Sequence, residues 1–329
     1  MPAMGQPIAF LNGQWIPASA AVVPVSDAGF VQGTAIAEQV RTFGGKLFRL
    51  HDHLARLAQS LETVGVDSGM TLTDLSKIAE KLAAGNHALL APGDDLGLSI
   101  VVTPGEYPTF APSEPARSTK GDSPIFAETK IGTVPPATPT VCLHTYPLPF
   151  SFLAAKYRNG QPLATTNVEQ VPARCWPPTL KCRSRMHYYL ADRQAAAVDP
   201  QARALLLAAD GFITEASTAN LAIYRTGEGL ISPPLSKILH GISLSVVVEL
   251  AGRLGIPFGH RDLTPDDVAS ADEAILTSTA TCVLPATRLN GRPIGSGHPG
   301  KVFSELLVAW SAMVGIDIAR QAERHVQDR

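Results

Sequence analysis

Lys181, Glu215, Arg56 and the stretch 239–245 carry side chains and backbone that could do chemistry together. Lys181 stands in TLKCRSRMHYYLADR, after the rigid Trp-Pro-Pro segment at 176–178, where the start of a helix would aim its amine into a cleft. Taken alone, a lysine is more often a solvated surface residue. Glu215 lies in DGFITEASTAN, a turn and strand whose polar neighbours Ser217, Thr218 and Asn220 would leave the carboxylate in water unless it faces a cation. Arg56, in HDHLARL, reads equally as a solvated helix residue or an anion ligand, and His51 with His53 is a weak metal pair because i, i+2 positions diverge on a helix. In LHGISLS, Gly241 permits close backbone approach. The Ile242 and Ser243 N–H groups at a helix start then form an anion cradle, or Ser243 is a plain cap. The TSTAT run at 277–281 adds hydroxyls and free backbone donors at a strand end.

The elements that must position these groups are legible as patterns. IAFLNGQWIP predicts a hairpin about Asn12-Gly13, and AIAEQVRTFGGKLF predicts a strand, a Gly44-Gly45 turn and a second strand. LHDHLARLAQSLETVGV and residues 71–91 carry helical spacing, GLSIVVTPG reads as a buried strand, and VCLHTY closes the first half as a strand. Residues 105–139 are rich in Pro, Ser, Thr and Gly, which predicts a long surface loop broken by a short strand, SPIFAETK. PLPFSFLAAKYRNGQPLAT reads as a linker, giving domains over 1–149 and 161–329 joined by 150–160. A helix from about Ser184 to Ala197 follows, then a strand series through ISP, a helix over SLSVVVELAGRLGI ending at Gly255, strands from EAILTST to GRPI, and a final helix, VFSELLVAWSAMVGI.

Composition narrows the field of functions. With 329 residues, 45% hydrophobic and 17% charged, the chain has room for about two domains with cores. A formal charge of -2 leaves no basic stripe for nucleic acid. Cys142, Cys175, Cys182 and Cys282 form no CxxC pair and are too sparse for a disulfide scaffold, and no apolar run is long enough to span a bilayer. The expectation is a soluble cytoplasmic protein with small-molecule substrates, no nucleic acid, no membrane and no metal.

An amine nucleophile, a carboxylate, an arginine and a helix-start cradle are together what pyridoxal 5′-phosphate requires. Its aldehyde needs a lysine, its ring nitrogen an anion, and its phosphate cationic and N–H donors. The order VSDAGFVQGTAIAEQVRTFGGKLFRLHDHLARL, TLK, DGFITEASTANLAIY, LISPPLSKILHGIS and ADEAILTSTA resembles the class IV (fold type IV) pyridoxal-phosphate aminotransferases. That family includes branched-chain aminotransferase, D-amino acid aminotransferase and aminodeoxychorismate lyase. The resemblance implies an α/β (α+β) fold of two domains with the cofactor in their cleft, and a homodimer in which residues 105–139 are a candidate lid. It implies that Lys181 is the Schiff-base lysine and proton shuttle, Glu215 the partner of the ring nitrogen, and Arg56 a phosphate ligand. Ile242, Ser243 and Thr279 would bind phosphate, and the Thr279 and Ala280 N–H groups would face the substrate carboxylate. Asn220 would support the Glu215 strand. Glu38 and Arg41, in GTAIAEQVR, resemble the aminotransferase segment, and Arg185 looks more like the lyase branch; all three are expected at the substrate.

The chain departs from the family pattern at Ala222, Ser232, Leu244 and Pro104, and GEYPTF lacks the Arg-x-His of D-amino acid aminotransferases. The implied reaction is amino transfer between a small amino acid, branched-chain ones included, and a 2-oxo acid by a ping-pong cycle. The alternatives are a lyase that releases pyruvate and a non-catalytic cofactor-binding relative.

Overall fold

The computed structural model describes residues 5–107 and 138–327. Strands β1 (Ile8–Leu11) and β2 (Gln14–Pro17) form the expected hairpin, with Asn12 and Gly13 at φ 47° and 85°, as a tight hairpin turn requires. After the short helix α1 (Ala28–Val31) come β3 (Ile36–Phe43), β4 (Lys46–Leu47), helices α2 (Leu50–Val64) and α3 (Leu72–His87), and strands β5 (Leu96–Thr103) and β6 (Thr140–Pro147). These strands make one 6-stranded antiparallel sheet in the order β2-β1-β6-β5-β3-β4. The two longer helices cover one face of it: Leu54, Leu57 and Leu61 of α2 and Leu75, Ala79 and Leu82 of α3 pack against Val40, Leu98, Ile100 and Leu143. Thr71 caps α3 by accepting from Asp74 N.

Residues 150–160, expected as a linker, fold as helix α4 (Phe150–Asn159). Phe150, Leu153, Ala154 and Tyr157 recur at i, i+3, i+4 and i+7 and are buried in the larger core, so the segment is packed. The prolines before it and Gly160 after it mark its ends rather than a loop. Beyond it lie β7 (Gln161–Thr165), α5 (Met186–Val198), β8 (Arg203–Leu207), β9 (Ile213–Ala216), β10 (Asn220–Arg225), β11 (Gly229–Ser232), α6 (Ile242–Leu254), β12 (Phe258–His260) and α7 (Pro265–Ala269). Strands β13 (Glu273–Ser278), β14 (Cys282–Leu289) and β15 (Arg292–Pro293) and helices α8 (Lys301–Val314) and α9 (Ile318–Gln327) complete the described chain. The second sheet is 9-stranded and mixed, in the order β12-β11-β10-β13-β14-β7-β8-β9 with β15 on β14.

The helix expected to be final, α8, is followed by α9, whose buried Ile318 and Ala322 dock it on the same core. The strand expected within SPIFAETK, and all of the loop expected over 105–139 except its ends, lie outside the described residues. Among the described residues, no single helix is long and apolar enough to cross a membrane.

Candidate active site

A cavity of about 290 Å³ lies where the two sheets meet, lined by residues of both. Lys181, Glu215, Arg56, Ile242, Ser243, Thr279, Ala280 and Arg185 all line it. Local structure explains how each arrives there.

Lys181 does not sit at a helix mouth, because α5 begins only at Met186. It belongs to an extended stretch laid against the start of β3. Ala37 N donates to Lys181 O at 3.1 Å, Arg183 N donates to Ala35 O at 2.7 Å, and Lys181 N donates to Ser60 Oγ at 3.2 Å. Backbone pairing on both sides of the lysine therefore fixes the root of its side chain. Burial is the largest influence on the amine; the Glu38 carboxylate pulls its pKa up, and Arg56, Arg185 and Arg183 push it down, for a net fall from 10.5 to about 8. The amine is thus charged below about pH 8 and neutral above it. In protein stripped of bound small molecules, acylation of Lys181 is expected to rise through pH 8. Peptide mass spectrometry after brief labelling checks this, and a midpoint at the free-lysine value would refute it.

Glu215, on β9, is 4% exposed, not in water as its polar neighbours suggested. Its Oε1 accepts from Tyr188 Oη at 2.6 Å and Gln170 Nε2 at 2.9 Å, and its Oε2 accepts from Asn220 Nδ2 and Leu239 N, each at 3.3 Å. Burial raises its pKa against the opposing pull of these donors and of the Lys181 charge. Asn220 Nδ2 also donates to Leu239 O at 2.9 Å, which ties the carboxylate to the turn leading into α6. At that turn Gly241 is the N-cap, without a side-chain cap, so Ser243 is not the cap residue. A Cβ on Gly241 would lie 1.9 Å from Asn220 Oδ1; the glycine is demanded by close approach. Gly241, Ile242 and Ser243, at the start of α6, line the cavity.

Arg56 is gripped from behind. Its Nε donates to Glu38 Oε1 at 2.7 Å, its Nη2 to Glu38 Oε2 at 2.8 Å, and its Nη1 to His240 O at 2.7 Å. His53 Nδ1 lies 2.8 Å from Glu38 Oε2. Burial would raise the Glu38 pKa, but the Arg56 charge and the hydrogen bonds from Arg56 and His53 prevail and bring it down to about 2. His53 faces inward while His51 is exposed, so the two diverge as their spacing implied.

Glu38 and Arg41, expected at the substrate, are not among the lining residues. Alternation along β3 puts Glu38 with Ile36 and Val40 on the helix-covered face, and Gln39 lines the cavity instead. Arg41 donates through Nη1 to Ala280 O at 3.0 Å and through Nη2 to Gln321 Oε1 at 3.3 Å; Gln321 Nε2 in turn donates to Asp95 Oδ2 at 2.8 Å. Both residues hold other parts of the site in place: Glu38 sets Arg56, and Arg41 pins the 279–281 turn.

Sequence reasoning missed Gln39, Gln170, Tyr188 and Leu239. For Tyr188 there was a signal, because it shares i, i+3, i+7 spacing with Ala191 and Ala195 on the inner face of α5. The others sit in irregular segments or on a strand face that spacing does not assign.

The amino-transferase class IV family model matches residues 35–289, which spans every lining residue that carries chemistry. The chain belongs to the class IV aminotransferases. The enzyme is 26% identical to D-alanine aminotransferase of Bacillus licheniformis over 298 residues, covering 91% of this chain and 94% of that one. It is 27% identical over 299 residues to a putative branched-chain-amino-acid aminotransferase of Methanocaldococcus jannaschii, covering 90% and 93%. Its fold matches the T.th. branched-chain amino acid aminotransferase with pyridoxamine 5′-phosphate at a TM-score of 0.78 and 22% identity, over 95% of this chain and 96% of that one. The branched-chain aminotransferase of Thermoproteus uzoniensis aligns with a TM-score of 0.75 at 25% identity, over 94% and 96%. The two-sheet architecture is thus the fold type IV arrangement.

Proposed function

We propose that this class IV aminotransferase uses pyridoxal 5′-phosphate to move an amino group between a small amino acid, such as D-alanine or a branched-chain amino acid, and a 2-oxo acid by a ping-pong cycle. The observation that carries the reading is the convergence of Lys181, Glu215, Arg56 and the Gly241–Ser243 turn on one cavity. The donor set fits the cofactor. An amine whose pKa is about 8 and a buried carboxylate flank the space, and Gly241 leaves room for the Asn220 amide that ties the carboxylate to the turn. Thr277, which lines the same cavity, also has a buried hydroxyl with no partner among the described residues.

Bound there, pyridoxal phosphate supplies a carbonyl carbon that takes up the amino group and a cationic ring that draws electrons from the substrate carbon. In this reading Lys181 would hold the cofactor covalently and then, as a free neutral amine, would take the proton from the substrate Cα onto Nζ and hand it to C4′, the cofactor carbon that carried the aldehyde. Glu215 keeps the ring nitrogen protonated. Arg56, Thr279, the Ser243 side chain and the Ile242 and Ser243 N–H groups hold the phosphate, and the Thr279 and Ala280 N–H groups receive the substrate carboxylate. Arg185 lines the cavity, its guanidinium makes no hydrogen bond or ion pair among the described residues, and it binds substrate there. A cytoplasmic homodimer completes the reading; exposed Val22, Val25 and Phe30 offer apolar surface for a second copy to cover.

Stoichiometric release of a 2-oxo acid from one amino donor, with no acceptor present, tests the function. No donor reacting would overturn it, and continuous pyruvate release without an acceptor would select the lyase. Gly241→Ala is expected to weaken cofactor binding about tenfold or more, since it displaces Asn220 and hydrogen bonds worth on the order of 1–2 kcal/mol. Titration of the cofactor's visible absorbance measures the change; unaltered affinity would remove Gly241 from the cradle.

A further inference from the structure

Tyr188 reaches Glu215 from a different element, and its contact is the shortest that the carboxylate makes. The hydroxyl donates to Oε1 at 2.6 Å, a length typical of a charge-assisted bond. Helix α5 carries the ring. Its Ala191 and Ala195 are buried with Ala164, Ala204 and Leu206, and Tyr188 packs on that cluster while Tyr189 and Leu190 are exposed. The His187 ring lies against it, with centroids 4.1 Å apart. The core beneath α5 thus fixes where the hydroxyl stands. Gln170 makes the second bond to the same oxygen. Val171 N donates to Gln170 Oε1 at 3.1 Å, so the amide turns Nε2 to Glu215, at 2.9 Å, and Gln170 N donates to Leu207 O at the end of β8 at 2.8 Å.

These bonds act on the charge of Glu215. Burial, the largest influence, raises its pKa, and the donors Tyr188, Leu239 N and Gln170 and the Lys181 charge pull it back. Burial and the Glu215 charge push the Tyr188 pKa well above the ordinary tyrosine value, against a bond from Gln170 and the Arg185 charge, so the hydroxyl keeps its proton and remains a donor. Burial and Arg185 lower the pKa of the neighbouring His187, which favours its neutral form. A proton between two bases rests on the stronger one, and each donor to a carboxylate makes that carboxylate a weaker base.

We propose that Tyr188 is a positioning residue for the reaction: its bond to Oε1 keeps Glu215 a weak base, so that the proton between Glu215 and the cofactor's ring nitrogen stays on the nitrogen. The inference rests on the pairing of Glu215 with that nitrogen proposed above. With the hydroxyl gone, burial is less opposed, the proton moves from the nitrogen to the carboxylate, and the pair becomes neutral. The ring then draws electrons less strongly.

The test is the NMR signal of the ring nitrogen in enzyme loaded with isotope-labelled cofactor, read in the native, Tyr188→Phe and Glu215→Gln proteins. The native signal is expected at the protonated value, Tyr188→Phe is expected to move it toward the unprotonated value, and Glu215→Gln to move it further. In Tyr188→Phe, kcat is expected to fall about tenfold or more, the change in proton distribution that loss of a hydrogen bond to a charged group brings. An aminophenylalanine at position 188, which donates weakly from the same place, is expected to give a signal between those of the native enzyme and Tyr188→Phe; a role in packing alone would not grade the signal in this way. A native signal in Tyr188→Phe with a shifted one in Glu215→Gln overturns the role of Tyr188 and leaves the pairing of Glu215 standing. A native signal in both variants overturns the pairing itself, and the proposal with it. Should Tyr188→Phe fail to hold cofactor, the aminophenylalanine protein decides, and a native signal there overturns the proposal.

Discussion

Lys181→Ala is expected to reduce turnover by about 10⁴-fold or more, since it removes both the covalent hold on the cofactor and the proton carrier. The backbone around residue 181 should not change. Its register is held by main-chain bonds from Ala37 and to Ser60, which alanine retains. Cofactor is expected to stay bound through Arg56, Ser243 and Thr279, which lie on other elements of the cavity wall. Steady-state rates and retained cofactor after gel filtration read the two effects separately. Near-native turnover would show that another group carries the proton, and complete loss of cofactor would show that the remaining ligands do not form a cradle.

Glu215→Gln is expected to slow turnover on the order of 10²-fold or more, because the charge that keeps the ring nitrogen protonated is lost. Four donors converge on the carboxylate: Tyr188 Oη, Gln170 Nε2, Asn220 Nδ2 and Leu239 N. A carboxylate accepts from all of them, whereas an amide turns one oxygen into a donor that meets N–H groups head on. A stability loss of about 1–3 kcal/mol is expected alongside the catalytic one. The 3.3 Å contacts leave Oε2 the less committed oxygen. Stopped-flow rates and chemical denaturation measure the pair of effects. A variant that turns over at the native rate with every active donor would place Glu215 away from the ring.

The elements that deliver these residues were readable where one periodicity decided them. The Asn12-Gly13 hairpin, the apolar stripes of α2 and α3 and the Gly255 stop of α6 each depend on local spacing or local φ, and each stands where spacing put it. Residues 150–160 misled because two prolines and an Asn-Gly pair outweighed a four-residue helical stripe; tertiary burial decided the matter. Glu38 and Arg41 illustrate a different limit. Their membership in one motif was legible, but which face of β3 each occupies depends on the register with β5 and on what covers the sheet. Two of the donors around Glu215 were illegible for a further reason, since Gln170 and Leu239 reach it only through long-range folding, whereas Asn220, five residues away, was legible as its support.

The hydrogen-bond chain from Asp95 through Gln321 and Arg41 to Ala280 has a consequence for the order of biosynthesis. Domains fold largely as they leave the ribosome, so the first sheet, with Arg41 and Asp95 already in place, precedes α9 by about half of the chain. Until α9 is made, the Arg41 guanidinium that pins Ala280 O lacks its Gln321 partner. A contact made late in synthesis therefore completes the support of the 279–281 turn that the first sheet begins.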